Sequence, residues 1–338
     1  MSLRIAGAGL HTTVQDLGRP EHQRDGVPAG GAMDRSALRV ANALVGNDDG
    51  AAALEATLIG PSIAFDGPAL IALAGGDLEP TIDGEPVPLW RAIHVPDGAA
   101  LRFGRPMLGC RTYVAIAGGI DVPLVFGSRS TYPRGGFGGH EGRALRAGDV
   151  LATCEPPALS RCIGRGVCRG TDGTRLAIAS WSAGRTLRMR YSSEPVVRLI
   201  PGTHTELLAA PSRTRLFSAS FTVSSSSDRM GYRLDGVALP LRNPVELLSE
   251  AVTFGTVQLP PDGRPIVLMA DRQTTGGYPR IGEVASGDLP LVAQLKPGDR
   301  LRFRPVTVEE AQQLYLAHED DLAQARAAIA LRHARGTA

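Results

Sequence analysis

A turn that leads into an apolar strand recurs along the chain, and it limits the fold more than any other feature. Val95-Pro96-Asp97-Gly98-Ala99-Ala100-Leu101-Arg102-Phe103 is echoed by Leu295-Lys296-Pro297-Gly298-Asp299-Arg300-Leu301-Arg302-Phe303, and more weakly by Leu145-Arg146-Ala147-Gly148-Asp149-Val150-Leu151. Each copy sets Gly beside Asp or Pro to make a turn and then supplies a strand. The separation of the copies predicts two related β-barrel halves. Elsewhere, 41 Gly and 25 Pro punctuate short apolar runs, which is the pattern of many short strands joined by turns. Strands are expected at 1–6, 62–65, 69–74, 92–95, 100–103, 111–117, 196–200, 215–223, 266–270 and 300–304.

Two helices stand out. One covers 34–44, with Asp34 as N-cap and Gly46-Asn47 as the stop. The other starts after Thr307, where Thr307-Val308-Glu309-Glu310 resembles a capping box. At 338 residues the chain exceeds one ordinary core, so two domains are expected. The expected division is a β-rich domain at 1–154, a connection or insertion at 155–187 rich in Arg and Gly, a second β-rich domain at 188–312, and a helical tail at 313–338.

The net charge of +2 gives no electrostatic case for nucleic acid or a membrane surface. The positive charge is almost entirely Arg. Lys296 is the only lysine, so there is no P-loop lysine and no candidate for a Schiff base. No run of about 18 apolar residues is present, so no membrane helix is expected. The first residues lack a signal-peptide pattern, and a cytoplasmic protein is expected. Cys110, Cys154, Cys162 and Cys168 form no CxxC pair, which predicts free thiols and no metal site.

The densest polar stretch is Asp271-Arg272-Gln273-Thr274-Thr275-Gly276-Gly277-Tyr278-Pro279, directly after the apolar run Pro265-Ile266-Val267-Leu268-Met269-Ala270. A buried strand thus feeds a loop carrying an acid, a guanidinium, an amide, hydroxyls and a phenol. Gly276-Gly277 permits close approach to the backbone, and Tyr278-Pro279 fixes an extended exit. A second cluster is Gly127-Ser128-Arg129-Ser130-Thr131-Tyr132, followed by Gly135-Gly136-Phe137-Gly138-Gly139. Its Arg could grip a carboxylate or phosphate, and its Gly amides could form an anion nest. The third is Ser227-Asp228-Arg229-Met230-Gly231, where Asp228 could orient Arg229 as an ion pair. The N-terminal block from Gly9 to Asp34 reads as a long structured loop, and such loops are commonly functional. GxSxG, HExxH, Walker and Rossmann patterns do not occur.

These clusters resemble the biotin-dependent carboxyltransferase family, whose members are also described as allophanate hydrolase subunit 2-like proteins or as the C subunit of 5-oxoprolinase. The resemblance rests on Gly9-Leu10-His11-Thr12-Thr13-Val14-Gln15-Asp16-Leu17-Gly18-Arg19, Gly31-Ala32-Met33-Asp34, Ala117-Gly118-Gly119-Ile120-Asp121, the Arg129 cluster, the Arg229 cluster and the loop from Asp271 to Pro279. It implies a mainly β fold of two tandem cyclophilin-like β-barrel domains with a few short helices.

The resemblance also implies a subunit of an ATP-dependent 5-oxoprolinase, an amide-bond hydrolase that opens 5-oxoproline to glutamate and is active only with partner subunits. Those partners are a smaller allophanate hydrolase subunit 1-like protein (the B subunit of 5-oxoprolinase) and a third, the A subunit, with ATP bound by or shared with them. Two alternatives accompany it: a carboxyltransferase component moving CO2 from carboxybiotin to urea or a related amide, and a regulatory protein antagonising a kinase inhibitor. The chain has no Ala-Met-Lys-Met biotin-carrier segment, so no covalent biotin is expected on it.

The motif positions carry the expected roles. Arg129, Asp271, Arg272 and Gln273 form the catalytic set. Arg129 and Arg272 would hold a substrate carboxylate or phosphorylated intermediate, while Asp271 and Gln273 would position the amide. Ser130, Thr131, Tyr132, Asp228, Arg229, Thr274, Thr275, Gly276, Gly277 and Tyr278 form the binding set.

Overall fold

The computed structural model describes residues 1–169 and 173–334. Residues 170–172 of the expected connection and 335–338 of the expected tail lie outside the described residues. The chain divides into two compact units, neither continuous in sequence. The first comprises Met1–Gly18, Asp34–Met189 and the residues from Glu319 onward; the second comprises Arg19–Met33 and Arg190–His318. Both are mainly β.

In the first unit two sheets enclose one core. One has seven strands in the order Ile120–Asp121, Val150–Thr153, Ser2–Gly7, Ser62–Asp66, Ala100–Arg102, Thr81–Ile82, Glu85–Pro86. The other has six, in the order Ala177–Ile178, Ala92–Val95, Ala69–Asp77, Leu108–Ile116, Ala53–Thr57, His11–Gln15. Alternation along the strands sends Leu3, Ile5, Ile63, Phe65 and Leu101 from the first sheet, and Leu54, Ile71, Leu73 and Val114 from the second, into a common buried cluster. The helix Arg35–Leu44 packs on Ala69–Asp77 and Leu108–Ile116. Its cap is the expected one: Asp34 Oδ1 accepts from the Ala37 N–H at 2.9 Å.

The second unit is a closed barrel of seven strands, ordered Val196–Pro201, Arg280–Val284, Thr256–Gln258, Ile266–Leu268, Gly231–Asp235, Ser220–Val223, Arg300–Pro305. Closure is made by the parallel pairing of Val196–Pro201 with Arg300–Pro305, which leaves no open edge in the ring. Its interior holds Val197, Leu199, Phe221, Val257, Val267, Ile281, Leu301 and Phe303.

The three echoed turns share one geometry. Gly98, Gly148 and Gly298 take φ of 79°, 95° and 90°, open only to glycine without strain. Each donates its N–H to a carbonyl on the strand with which the following segment pairs: Phe65 at 2.9 Å, Ile5 at 2.8 Å and Val223 at 2.9 Å. A local bond closes each turn, from Ala99 to Pro96, Asp149 to Arg146 and Asp299 to Lys296. The capping box is also present, with Thr307 N–H bonded to Glu310 Oε2 at 2.9 Å and Glu310 N–H to Thr307 Oγ1 at 3.1 Å. It opens the helix Val308–Ala334.

Two expectations change. The strand expected at 215–223 is a helix, Ala210–Ser218, followed by the shorter strand Ser220–Val223. Pro211 in the first turn starts it, Arg213 N–H bonds the Ala209 carbonyl at 3.1 Å, and Leu216 is buried. The N-terminal block is not a loop throughout. His11–Gln15 pairs antiparallel with Ala53–Thr57, and Pro20–Asp25 is a 3-10 helix.

Candidate functional site

In the first unit, Asp16 organises the Arg129 cluster. The strand His11–Gln15 ends just before it and leaves its carboxylate buried. Oδ1 accepts from Ser128 Oγ at 2.6 Å, Ser130 Oγ at 2.5 Å and the Gly18 N–H at 2.7 Å, while Oδ2 accepts from the Arg129 N–H at 2.6 Å. Four donors on one carboxylate fix the loop strongly, because bonds to a charged acceptor are the strong ones. Ser130 and Thr131 are both fully buried. Their hydroxyls serve the loop itself, Ser130 on Asp16 and Thr131 on the Val14 carbonyl at 2.9 Å. Tyr132 packs against Phe137 with ring centroids 5.4 Å apart and ring planes tilted by 59°.

Arg129 is the cluster's outward charge. Its Nε donates to the Val122 carbonyl at 2.9 Å, and its side chain is 32% exposed. Three of the glycine amides expected to form an anion nest are otherwise engaged: Gly135 and Gly136 donate to Tyr132, and Gly139 donates to the Arg129 carbonyl.

In the second unit, the strand Ile266–Leu268 delivers the loop of Asp271 to Pro279 as its sequence suggests. Asp271 is buried against Arg229, Nε to Oδ2 at 2.9 Å and Nη2 to Oδ1 at 3.1 Å. Arg229 also donates to the Gly31 carbonyl at 2.6 Å, and Gly30 N–H reaches the Ala270 carbonyl at 3.1 Å. The sequence-expected orienting acid for Arg229, Asp228, is thus joined by Asp271 from the loop that follows the paired strand. Asp228 Oδ1 accepts from the Met230 and Gly231 N–H groups at 2.8 and 3.3 Å, an Asx turn that shapes the loop.

Arg272 is buried as well. Nε and Nη1 face the Val252 and Met269 carbonyls, each at 3.4 Å, and Nη2 donates to Gln23 Oε1 at 3.2 Å. Arg229, Ala270 and Arg272 thus tie the segment 19–33 to the loop. Gln273 is half-buried, with Nε2 on Gln258 Oε1 at 3.2 Å. The Thr274 carbonyl accepts from Val252 at 3.2 Å, and Thr275–Gly276 pairs with Glu250–Ala251. A Cβ at Gly276 would lie 2.4 Å from Gln258 Nε2, so a larger residue here would have to displace the Gln258 amide. The Tyr278 ring is exposed.

Nearby, Glu283 on the strand Arg280–Val284 has its carboxyl pushed up by burial. Hydrogen bonds from Thr253 and Thr256 and the charges of Arg272 and Arg280 oppose that shift. Sequence reading missed Asp16 as an organising acid, because the donors it gathers at Ser128, Arg129 and Ser130 lie more than a hundred positions away. It missed the half-buried Glu283 because that residue stands outside any dense polar run, in the strand Arg280–Val284.

The family described as carboxyltransferase domain, subdomain A and B, matches residues 25–305. The C subunit of 5-oxoprolinase from Haemophilus influenzae is 36% identical over 314 residues, covering 93% of this chain and 94% of that protein. The corresponding C subunit from Escherichia coli is 39% identical over 311 residues, covering 91% and 93% respectively. The crystal structure of Kluyveromyces lactis urea carboxylase superposes with a TM-score of 0.85 at 29% identity, covering 96% of this chain and 29% of that one. The turns, barrel and motif loops described above therefore belong to a known architecture, and the chain is a member of the carboxyltransferase domain, subdomain A and B, family.

Proposed function

We propose that the chain is the C subunit of an ATP-dependent 5-oxoprolinase, which opens the lactam of 5-oxoproline to glutamate. One observation carries this reading: the correspondence with the two bacterial C subunits runs nearly end to end in both partners of each comparison. The protein acts with a smaller B subunit and a third, the A subunit, in a cytoplasmic hetero-oligomer.

ATP is assigned to the partner subunits. Supporting this, the amides of Gly135, Gly136 and Gly139 in the glycine-rich cluster are committed to carbonyls of their own loop. The sole lysine, Lys296, pairs with Asp299 at 2.9 Å.

Among the expected site residues, Arg129 is the charged group with an accessible guanidinium, and we assign it to the substrate. Asp271, Arg272 and Arg229 are positioning residues, since their charges are satisfied inside the second unit. The test is glutamate release from 5-oxoproline and ATP by the complete subunit mixture, then with this chain omitted. Release that stops on omission supports the reading. Release that continues unchanged without the chain overturns it, and an inactive complete mixture redirects the assay to a carboxybiotin carrier and urea.

A further inference from the structure

A cleft of about 250 Å³ opens in the first unit, bordered by Asn47, Asp48, Gly118, Arg129 and Cys154. Small residues form much of its remaining wall, so the volume suits a compact ligand and not a nucleotide. Asn47 is locked: its Nδ2 donates to Asn42 Oδ1 at 3.1 Å and to the Ile116 carbonyl at 2.8 Å, and its Oδ1 accepts from the Gly118 N–H at 2.8 Å. Asp48 is exposed at the cleft.

Arg129 differs from Asn47. Its backbone is pinned by Asp16 and its Nε by the Val122 carbonyl, so the guanidinium plane is preset. Its two Nη groups make no hydrogen bond among the described residues. The acid paired with it, Asp121, stands 3.8 Å from Nη2 with its side chain 55% exposed, beyond hydrogen-bond reach. A preset guanidinium with both outer nitrogens open, at a small cleft, matches the fork geometry of a carboxylate.

We propose that this cleft is a subsite for the carboxylate of a small acid, held by the Nη groups of Arg129, with Cys154 in its wall and Asp121 as the counter-ion that the ligand displaces. The identity of the acid, 5-oxoproline, rests on the proposed function; the carboxylate itself rests on the cleft alone. The Cys154 thiol is pushed up by burial first and then by its hydrogen bond to Asp121, so it alkylates slowly and reports on what fills the cleft.

The experiment is alkylation of the full chain with iodoacetamide at mildly alkaline pH, followed by peptide mass mapping. Cys162 and Cys168, which do not border the cleft, serve as internal controls, and the buried Cys110 reports on folding. Glutarate and 5-oxoproline are expected to slow modification of Cys154 several-fold and to leave Cys162 and Cys168 unchanged. Pyrrolidinone, the lactam without the carboxylate, should give no protection. Arg129→Ala should abolish protection with Cys110 still unreactive, and Asp121→Asn should strengthen it.

Equal protection by pyrrolidinone, protection that survives Arg129→Ala, or no protection by either acid overturns the subsite. Protection by glutarate and not by 5-oxoproline upholds the carboxylate subsite and counts against the proposed substrate instead.

Discussion

Arg229 and Asp271 face each other as a fork on a carboxylate, Nε to Oδ2 at 2.9 Å and Nη2 to Oδ1 at 3.1 Å, with side chains only 10% and 5% exposed. Removing one partner strands the other charge in the interior. Arg229→Ala is expected to cost about 3–5 kcal/mol, the usual range for a broken buried pair. Arg229→Lys should also destabilise, since an ammonium cannot span both oxygens and reach Gly31. The double variant Arg229→Met with Asp271→Leu should recover much of the loss. Urea denaturation midpoints decide the matter, and a single-site loss under about 1 kcal/mol would show that the pair is not a clasp.

Asp16 gathers four donors around the Arg129 loop. Asp16→Asn keeps the shape but exchanges a charged acceptor for an amide that can accept on one atom only. The expected cost is about 1.5–3 kcal/mol, the range for hydrogen bonds to charged groups. Amide hydrogen exchange should accelerate at Arg129 and Gly18 ahead of the strands. Unchanged protection at those two amides would disprove the anchoring role.

The third echoed turn carries a pH signature. Asp149 accepts from Arg143 at 2.7 and 2.9 Å and from the Arg146 N–H at 2.7 Å, and the Arg143 bond foremost holds its carboxyl well below the usual range. A depressed folded-state pKa means that the unfolded chain binds the proton more tightly. The stabilisation is therefore full above the ordinary Asp value of about 3.9 and is lost as pH falls through the folded value. Asp149→Asn should lower the melting temperature near neutrality, and its deficit should shrink once the pH drops below that ordinary value. A deficit that stays constant from neutral to strongly acidic pH would contradict this account.

Two glycines separate backbone strain from steric clash. Gly298 has φ of 90° and open space where a Cβ would stand, whereas at Gly139, φ 55°, a Cβ would lie 1.9 Å from Thr131 Oγ1. Gly298→Ala is expected to cost about 1–2 kcal/mol from the left-handed backbone alone. Gly139→Ala should cost clearly more, because fully buried Thr131 cannot move away without leaving the Val14 carbonyl. Thermal melts of the two variants test the ranking, and equal losses would show that the loop around Thr131 yields.

The order of residues alone determined whatever is decided within a few positions. The Gly98, Gly148 and Gly298 turns, the Asp34 cap and the reciprocal bonds of Thr307 and Glu310 are all closed by groups three or four residues apart, or by a glycine that permits one backbone shape. Strand positions followed from the same local alternation. The strand expected at 215–223 failed at its N-terminal half, because packing of Leu216 and the start at Pro211 outweighed a short alternating pattern.

Partner choice at long range was decided only by the tertiary structure. Barrel pairing of Gly231–Asp235 with Ile266–Leu268 brings Asp271 to the Arg229 guanidinium across 42 positions. The same holds for Asp16, whose four donors come largely from residues more than a hundred positions away. It also holds for Arg19–Met33, which joins the second unit through Gly31 and Gln23 although its neighbours on both sides belong to the first. A charged side chain is fixed by whichever opposite charge the closed sheets bury next to it, and that proximity is created by folding and not by spacing along the chain.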